Sequence, residues 1–250
     1  MWRFTLQVIK ISLLEKASLS IPYFVLITLL TFGLPVPVVG QILFLLNLFL
    51  IFSFITFTSK TLVLHRGDLV RFRQELKRSS LFRVLFSYVP ETVGILAGQF
   101  VLTLGAVLVA LILLVAGGSS FLIVPLIKGE EVSWWGIFVT LVFSALLYLS
   151  VVSSFPLFFG RAIFRGSGFS DTFVKFVSSL FFEISWKTML SCDYMRSSFI
   201  LSLVILGLIL LDLLLLSIPP LGVLSPAVSF LGFHTAYTFG TVACLRLLRF

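Results

Sequence analysis

Six apolar runs, each near the length needed to cross a bilayer, leave this chain little choice of fold. A membrane's hydrocarbon core takes about 20 apolar residues of helix. The runs at about Leu19–Leu34, Gln41–Ser59, Glu91–Ala116, Trp135–Phe159, Ser198–Ser217 and Ala227–Leu245 approach or meet that length. Only 11% of the 250 residues are charged, against about 25% in soluble domains, and the mean hydropathy is +1.18. The reading is all-α: one integral membrane domain over residues 1–250, a polytopic transmembrane helix bundle of about six spans. The connections are too short to hold a separate soluble domain.

Between the second and third runs lies Lys60 to Arg83, KTLVLHRGDLVRFRQELKRSSLFR, with Lys60, Arg66, Arg71, Arg73, Lys77, Arg78 and Arg83. Such a segment belongs at a membrane surface. Within 66–83, Asp68 is placed to cap a helix whose Leu69, Phe72 and Leu76 share one face. A second surface helix is expected within 168–187, with Phe173, Phe176, Val177 and Leu180 on one face. Residues 1–18 read as a third, interfacial one, since Trp2, Leu6, Ile9, Leu13 and Leu14 recur at helical spacing. Arg3, Lys10, Glu15 and Lys16 interrupt that stretch, so it lacks the apolar core of a secretory signal.

Charge fixes an orientation. With six spans, Arg161, Arg165, Lys175, Lys187, Arg196, Arg246 and Arg249 fall on the same side as the basic hub and the N-terminal cations, and Lys128 alone falls opposite. The positive-inside rule then puts both termini and the surface helices in the cytoplasm of a bacterial inner membrane. The formal charge of +8 is accounted for by anionic lipid headgroups on that side, with no nucleic acid needed. Arg66, Arg71, Arg73, Lys77, Arg78, Arg83, Arg161, Arg165 and Lys175 are the expected headgroup or partner contacts. Cys192 and Cys244 lie toward the same reducing side, where no disulfide is expected.

The two cytoplasmic segments also echo each other. Aligning Leu69 with Phe173 brings Arg71 onto Lys175, Phe72 onto Phe176 and Leu76 onto Leu180. Either the chain contains a parallel repeat, or any six-span chain with short outer turns would show two such loops.

Ionisable groups inside spans are costly and mark candidate sites. Three qualify: Asp212 in LILLDLLLL, His234 in GFHTAYTFG, and Glu91 after Pro90. Asp212 reads as a proton or cation ligand, a partner for His234, or a structural interhelical hydrogen bond. Glu91 suits the positive end of its own helix, and His234 sits among small and hydroxyl residues that favour close helix packing. The chain has no HExxH, CxxC or GxSxG, and no phosphate-binding or dinucleotide glycine pattern. No enzyme activity, metal or cofactor is therefore expected.

The stretches TLVLHRGDLVRFRQELKRSSLFRVLF and SSFPLFFGRAIFRGSGFSDTFVKFVSSL, with the basic end CLRLLRF, resemble the YciC-like group of bacterial inner-membrane proteins. The resemblance covers most of the chain in hydropathy pattern. It implies a six-span architecture with an amphipathic N-terminus and a surface helix before the third and fifth spans. It implies no activity. The function expected from sequence is a non-enzymatic accessory subunit or membrane organiser, working with a membrane-protein partner or a second copy. The alternatives are a permease subunit whose cytoplasmic helices dock an ATPase, and an ion-coupled carrier using Asp212.

Overall fold

The computed structural model describes residues 1–32, 37–113, 128–129 and 134–247. Residues 33–36, 114–127, 130–133 and 248–250, with Glu130, Glu131 and Arg249 among them, lie outside these. Every described element is helical: α1 (Trp2–Ile9), α2 (Ala17–Phe32), α3 (Pro37–Leu64), α4 (Leu69–Arg78), α5 (Leu81–Phe86), α6 (Val89–Leu113), α7 (Trp134–Arg165), α8 (Gly168–Ser178), α9 (Glu183–Met189), α10 (Cys192–Ser217) and α11 (Ser225–Leu247). Among the described residues four helices are long and apolar enough to cross a membrane: Val39–Leu64, Val89–Leu108, Cys192–Ser217 and Leu221–Leu247. A fifth is added if Trp2–Glu15 and Ala17–Thr31, which meet at 81°, count as one bent span. The described chain is all-helical, with four to five helices able to cross a membrane by length and composition.

Two helices form the centre. In α3 and α11, 56% and 61% of the apolar window is buried, against 22% in α6 and 11% in α10. Since lipid tails are as apolar as leucine, such helices associate by close packing and hydrogen bonds rather than by water exclusion. The contacts are of that kind. Phe54 of α3 meets Tyr23, Phe230 and His234 edge-on at 5.1, 5.3 and 5.5 Å. Tyr23 and Ser53 share a hydrogen bond of 3.1 Å, and Asn47 Nδ2 donates to Thr31 Oγ1 at 3.2 Å, pinning α2 to α3.

The tightest crossing joins α7 to α11. A Cβ on Gly160 would stand 2.4 Å from the Gly240 carbonyl oxygen, and one on Gly240 only 1.7 Å from that of Pro156. The backbones touch because neither residue has a side chain. Pro156 lacks an N–H, so the turn before it is one bond short. In that turn the Ser153 carbonyl accepts from the Tyr194 hydroxyl of α10.

The surface segments gather at one end of this bundle. Asp68 Oδ1 accepts from the Val70 and Arg71 amides at 2.9 and 3.3 Å, the expected cap on α4. Arg66 and Gly67, with φ of 51° and 78°, make the left-handed turn before it. The expected second helix is broken: α8 stops at Ser178, Ser179–Phe181 is a 3-10 turn, and α9 follows. Its Thr172 and Phe176 are buried against α6, where Gly94 and Gly98 form a notch. The echo between the loops reaches the buried Phe72 and Phe176 but not their neighbours. Helix α4 is tied to the N-terminal arm by Arg73 and Glu15 at 2.7 Å, whereas α8 sits on α6.

That arm, α1 with its π-helical continuation Lys10–Glu15, lies across the same end. At its start Trp2 Nε1 donates to the Ser197 carbonyl at 3.0 Å and stacks on Phe239, while Arg246 lies 4.9 Å over the Phe4 ring. At its finish Lys16 Nζ donates to the Lys77 carbonyl at 3.0 Å. Thr5, Val8, Ile11 and Ser12 form its buried face.

Candidate functional site

Helix α11 presents two stripes. Phe230 and His234, four residues apart, face α3 and the arm, whereas Ser229, Gly232, Phe233, Ala236 and Tyr237 border a cavity of about 350 Å³. A helix turns by about 100° per residue, so adjacent positions separate onto different faces. The cavity is closed by Gln99 and Thr103 of α6, by the α7 turn around Pro156, and by α10 from Ile205 to Asp212. Its volume is at the lower end of small-molecule pockets.

Asp212 is the single charged residue among the described residues of this lining, and its Oδ1 is buried with no hydrogen-bond partner. Gln99 has its side chain hydrogen-bonded to Tyr237, and its Oε1 is likewise buried and unpartnered. A buried acceptor without a donor costs about 1–3 kcal/mol. Two of them on residues that border one space is the feature that singles it out.

The other candidates lie elsewhere. His234 is not joined to Asp212: its Nε2 shares a hydrogen bond of 2.8 Å with Ser12 Oγ of the arm, and its ring packs against Phe54 and Phe230. Ser12→Ala leaves the buried imidazole without that partner. It is expected to lower stability by about 1–3 kcal/mol, read as a lower thermal midpoint in detergent. Glu91 sits in the first turn of α6, but its Oε1 accepts from the Gly168 amide at 3.2 Å, so it caps α8 as well. Lys60 reaches the Gly166 carbonyl in the same junction.

Most of the basic residues are engaged within the fold. Arg71 pairs with Asp68 at 3.4 Å, Arg73 with Glu15 at 2.7 Å, Arg83 with Glu75 at 2.7 Å and Lys175 with Asp171 at 2.6 Å. The Lys175 ammonium and the Ser167 amide hold the Asp171 carboxyl below the ordinary carboxylate range. That pairing therefore survives until the pH falls through the lowered value. Lys175 also reaches the Arg165 carbonyl at the end of α7. Arg161 is 7% exposed, donates to Ser185 Oγ at 2.7 Å and lies 4.0 Å over the Phe182 ring. Arg66, Lys77 and Arg78 are exposed. Cys192 is exposed and Cys244 buried, both as free thiols.

Sequence reasoning singled out Asp212, which borders this cavity, and passed over Gln99, Thr103, Ser229 and Tyr237 beside it. A signal was present: Gln99 and Thr103 are four apart, and Ser229, Gly232, Phe233, Ala236 and Tyr237 follow the spacing of one helix face. Which face meets which helix is decided by packing. Among the described residues no three His, Cys, Asp or Glu side chains gather as a metal site.

Fold and site together give an all-helical chain with four to five candidate membrane spans and a largely apolar cavity whose described lining holds one carboxyl side chain. The chain is similar, at 28% identity over 255 aligned residues, to a protein of Aquifex aeolicus described as uncharacterized; the match covers 99% of this chain and 92% of the relative. No family model matches the chain, and no solved structure does.

Proposed function

We propose that this chain is a six-span bacterial inner-membrane protein of the YciC-like kind, with both termini cytoplasmic. It works by binding rather than by catalysis, and the cavity beside Asp212 is where it binds. The observation that carries this reading is the pair of partnerless acceptors, Asp212 Oδ1 and Gln99 Oε1, in the lining helices of one space. The sixth span is α7, 32 residues long and apolar until Arg161. The Aquifex relative, matching 99% of the chain, supports a bacterial setting. Exposed Lys77 and Arg78, with exposed Phe82 and Phe86 close behind them in sequence, suit a surface pressed against anionic headgroups.

Orientation is tested with the native thiols. Cys192 is expected to react with a membrane-impermeant maleimide in inverted vesicles and not in spheroplasts, while buried Cys244 stays unlabelled in both. A Lys128→Cys variant on a Cys192→Ser background should give the opposite pattern. Labelling of Cys192 from outside would overturn the orientation.

Binding is tested by filling the cavity. A Cβ on Gly232 would make only ordinary contacts, 3.8 Å from Leu208 and 4.0 Å from Ile205, so Gly232→Leu puts its added atoms into the space. Equilibrium dialysis of naphthylmethanol against the protein in non-ionic detergent is expected to show retention by the wild type. Retention by Gly232→Leu should fall by about tenfold, the scale of a lost pocket contact of 1–3 kcal/mol. Equal retention by the two proteins counts against the reading.

A second reading keeps one observation in its favour. With 11% of its apolar window buried, α10 offers a long apolar face to a partner subunit or a second copy as readily as to lipid. Purification of the tagged protein from native membranes, with mass spectrometry of what accompanies it, separates the two. A stoichiometric membrane protein would make this an accessory subunit, and a stoichiometric ATPase a permease component.

A further inference from the structure

We infer that the cavity takes an apolar monocation, a primary ammonium on a compact apolar body, with its N–H groups directed to Asp212. The inference rests on the binding reading above and adds the ligand's chemistry. Charge comes first. Asp212 is the one carboxyl side chain in the described lining, and among the described residues no lysine, arginine or histidine borders it. An anion would meet a carboxylate and no compensating cation, so anionic ligands are excluded from this space.

Hydrogen-bonding sense comes next. The two buried atoms lacking partners, Asp212 Oδ1 and Gln99 Oε1, are both acceptors. The Gln99 side chain is held by Tyr237, which fixes its amide at the edge of the cavity. The missing component is a donor, and a charged one matches the carboxylate. An ammonium supplies three N–H groups and no acceptor.

Size and lining complete the class. Calcium and magnesium want six or more oxygen ligands, whereas most of this wall is aliphatic and aromatic: Val151, Val152, Phe155, Ile205, Leu208 and Phe233. About 350 Å³ is far more than a lone cation fills, and it suits a body the size of one or two aromatic rings. A ligand with an apolar body also reaches a site between helices through the bilayer, where it is already concentrated.

The test uses the full chain in non-ionic detergent at neutral pH and three probes sharing one apolar body. These are naphthylmethylamine, which is an ammonium at this pH, the neutral naphthylmethanol, and trimethyl(naphthylmethyl)ammonium, which keeps the charge but has no N–H. Equilibrium dialysis of wild type is expected to favour the primary ammonium over the alcohol by about tenfold, as a charged hydrogen bond implies. The trimethyl compound should fall between them. Asp212→Asn should bring the ammonium down to the alcohol's level. Equal binding of ammonium and alcohol by wild type, or a preference that survives Asp212→Asn, overturns the inference. In that event alcohol binding that is lost in Gly232→Leu leaves the cavity reading standing, whereas absence of all three probes removes both. If Asp212→Asn does not fold, the order of the three probes on wild type still decides.

Discussion

Gly240→Ala is expected to abolish recovery of folded protein. The added methyl would stand 1.7 Å from the Pro156 carbonyl oxygen and 2.2 Å from its carbon, and both belong to backbone, which cannot swing aside. Helices α7 and α11 would have to part along the central seam of the bundle. Overpacking a core costs about 1–3 kcal/mol when side chains can adjust. Here none can, so we expect a loss of about 3 kcal/mol or more, read as disappearance of the monodisperse peak in size exclusion. Gly160→Ala should follow it, because its methyl meets the Gly240 carbonyl at 2.4 Å. Gly105→Ala and Gly207→Ala are the controls. Neither Cβ has a neighbour within 4 Å, and both proteins should behave as wild type. Normal recovery of Gly240→Ala would refute the close crossing.

Gly94→Val is expected to undock α8 while leaving the bundle assembled. A Cβ at Gly94 would lie 2.6 Å from the Phe169 carbonyl oxygen and 3.2 Å from the Phe173 amide nitrogen, so the helix it displaces is α8 and not a span. Once α8 lifts, Phe176 leaves the face of Gly98 and Glu91 loses the Gly168 amide. Hydrogen exchange in residues 168–178 should rise by about a hundredfold, which is roughly 3 kcal/mol of lost protection, with exchange in α3 and α11 unchanged. Because α6 is held by α8 and itself supplies Gln99 and Thr103, naphthylmethanol retention should fall in the same variant. Unchanged exchange across 168–178 would mean that α8 does not depend on the notch.

Hydropathy made the spans legible, because an apolar run of membrane length has few other solutions. The α4 cap was legible too, since Asp68 stands immediately before a run with one apolar face and its carboxylate takes the two first-turn amides. The break in the second surface helix was not. Phe181 and Phe182 continue an apolar pattern, and only the docking of Phe176 into the notch and of Phe182 under Arg161 stops the helix between them. Within the site, Asp212 announced itself because a carboxylate among leucines is expensive. Gln99, Thr103, Ser229 and Tyr237 did not, because amides and hydroxyls are common in spans and take on a role only through their neighbours. His234 and Asp212 looked like natural partners on adjoining helices. Helix rotation decides otherwise: His234 shares its stripe with Phe230, and that stripe faces the arm.

The arm also sets an order of events in biosynthesis. Residues 2–12 are made well before their partners Ser197, His234, Phe239 and Arg246, which lie far along the chain. Until α11 is made, the buried face of Thr5, Val8, Ile11 and Ser12 lacks those partners, so the arm waits while the earlier helices assemble. Its docking cannot precede the synthesis of α11. A chain truncated before α11 would hold its arm loose, and proteolysis within residues 2–12 would report that failure even though the truncation lies far away in sequence.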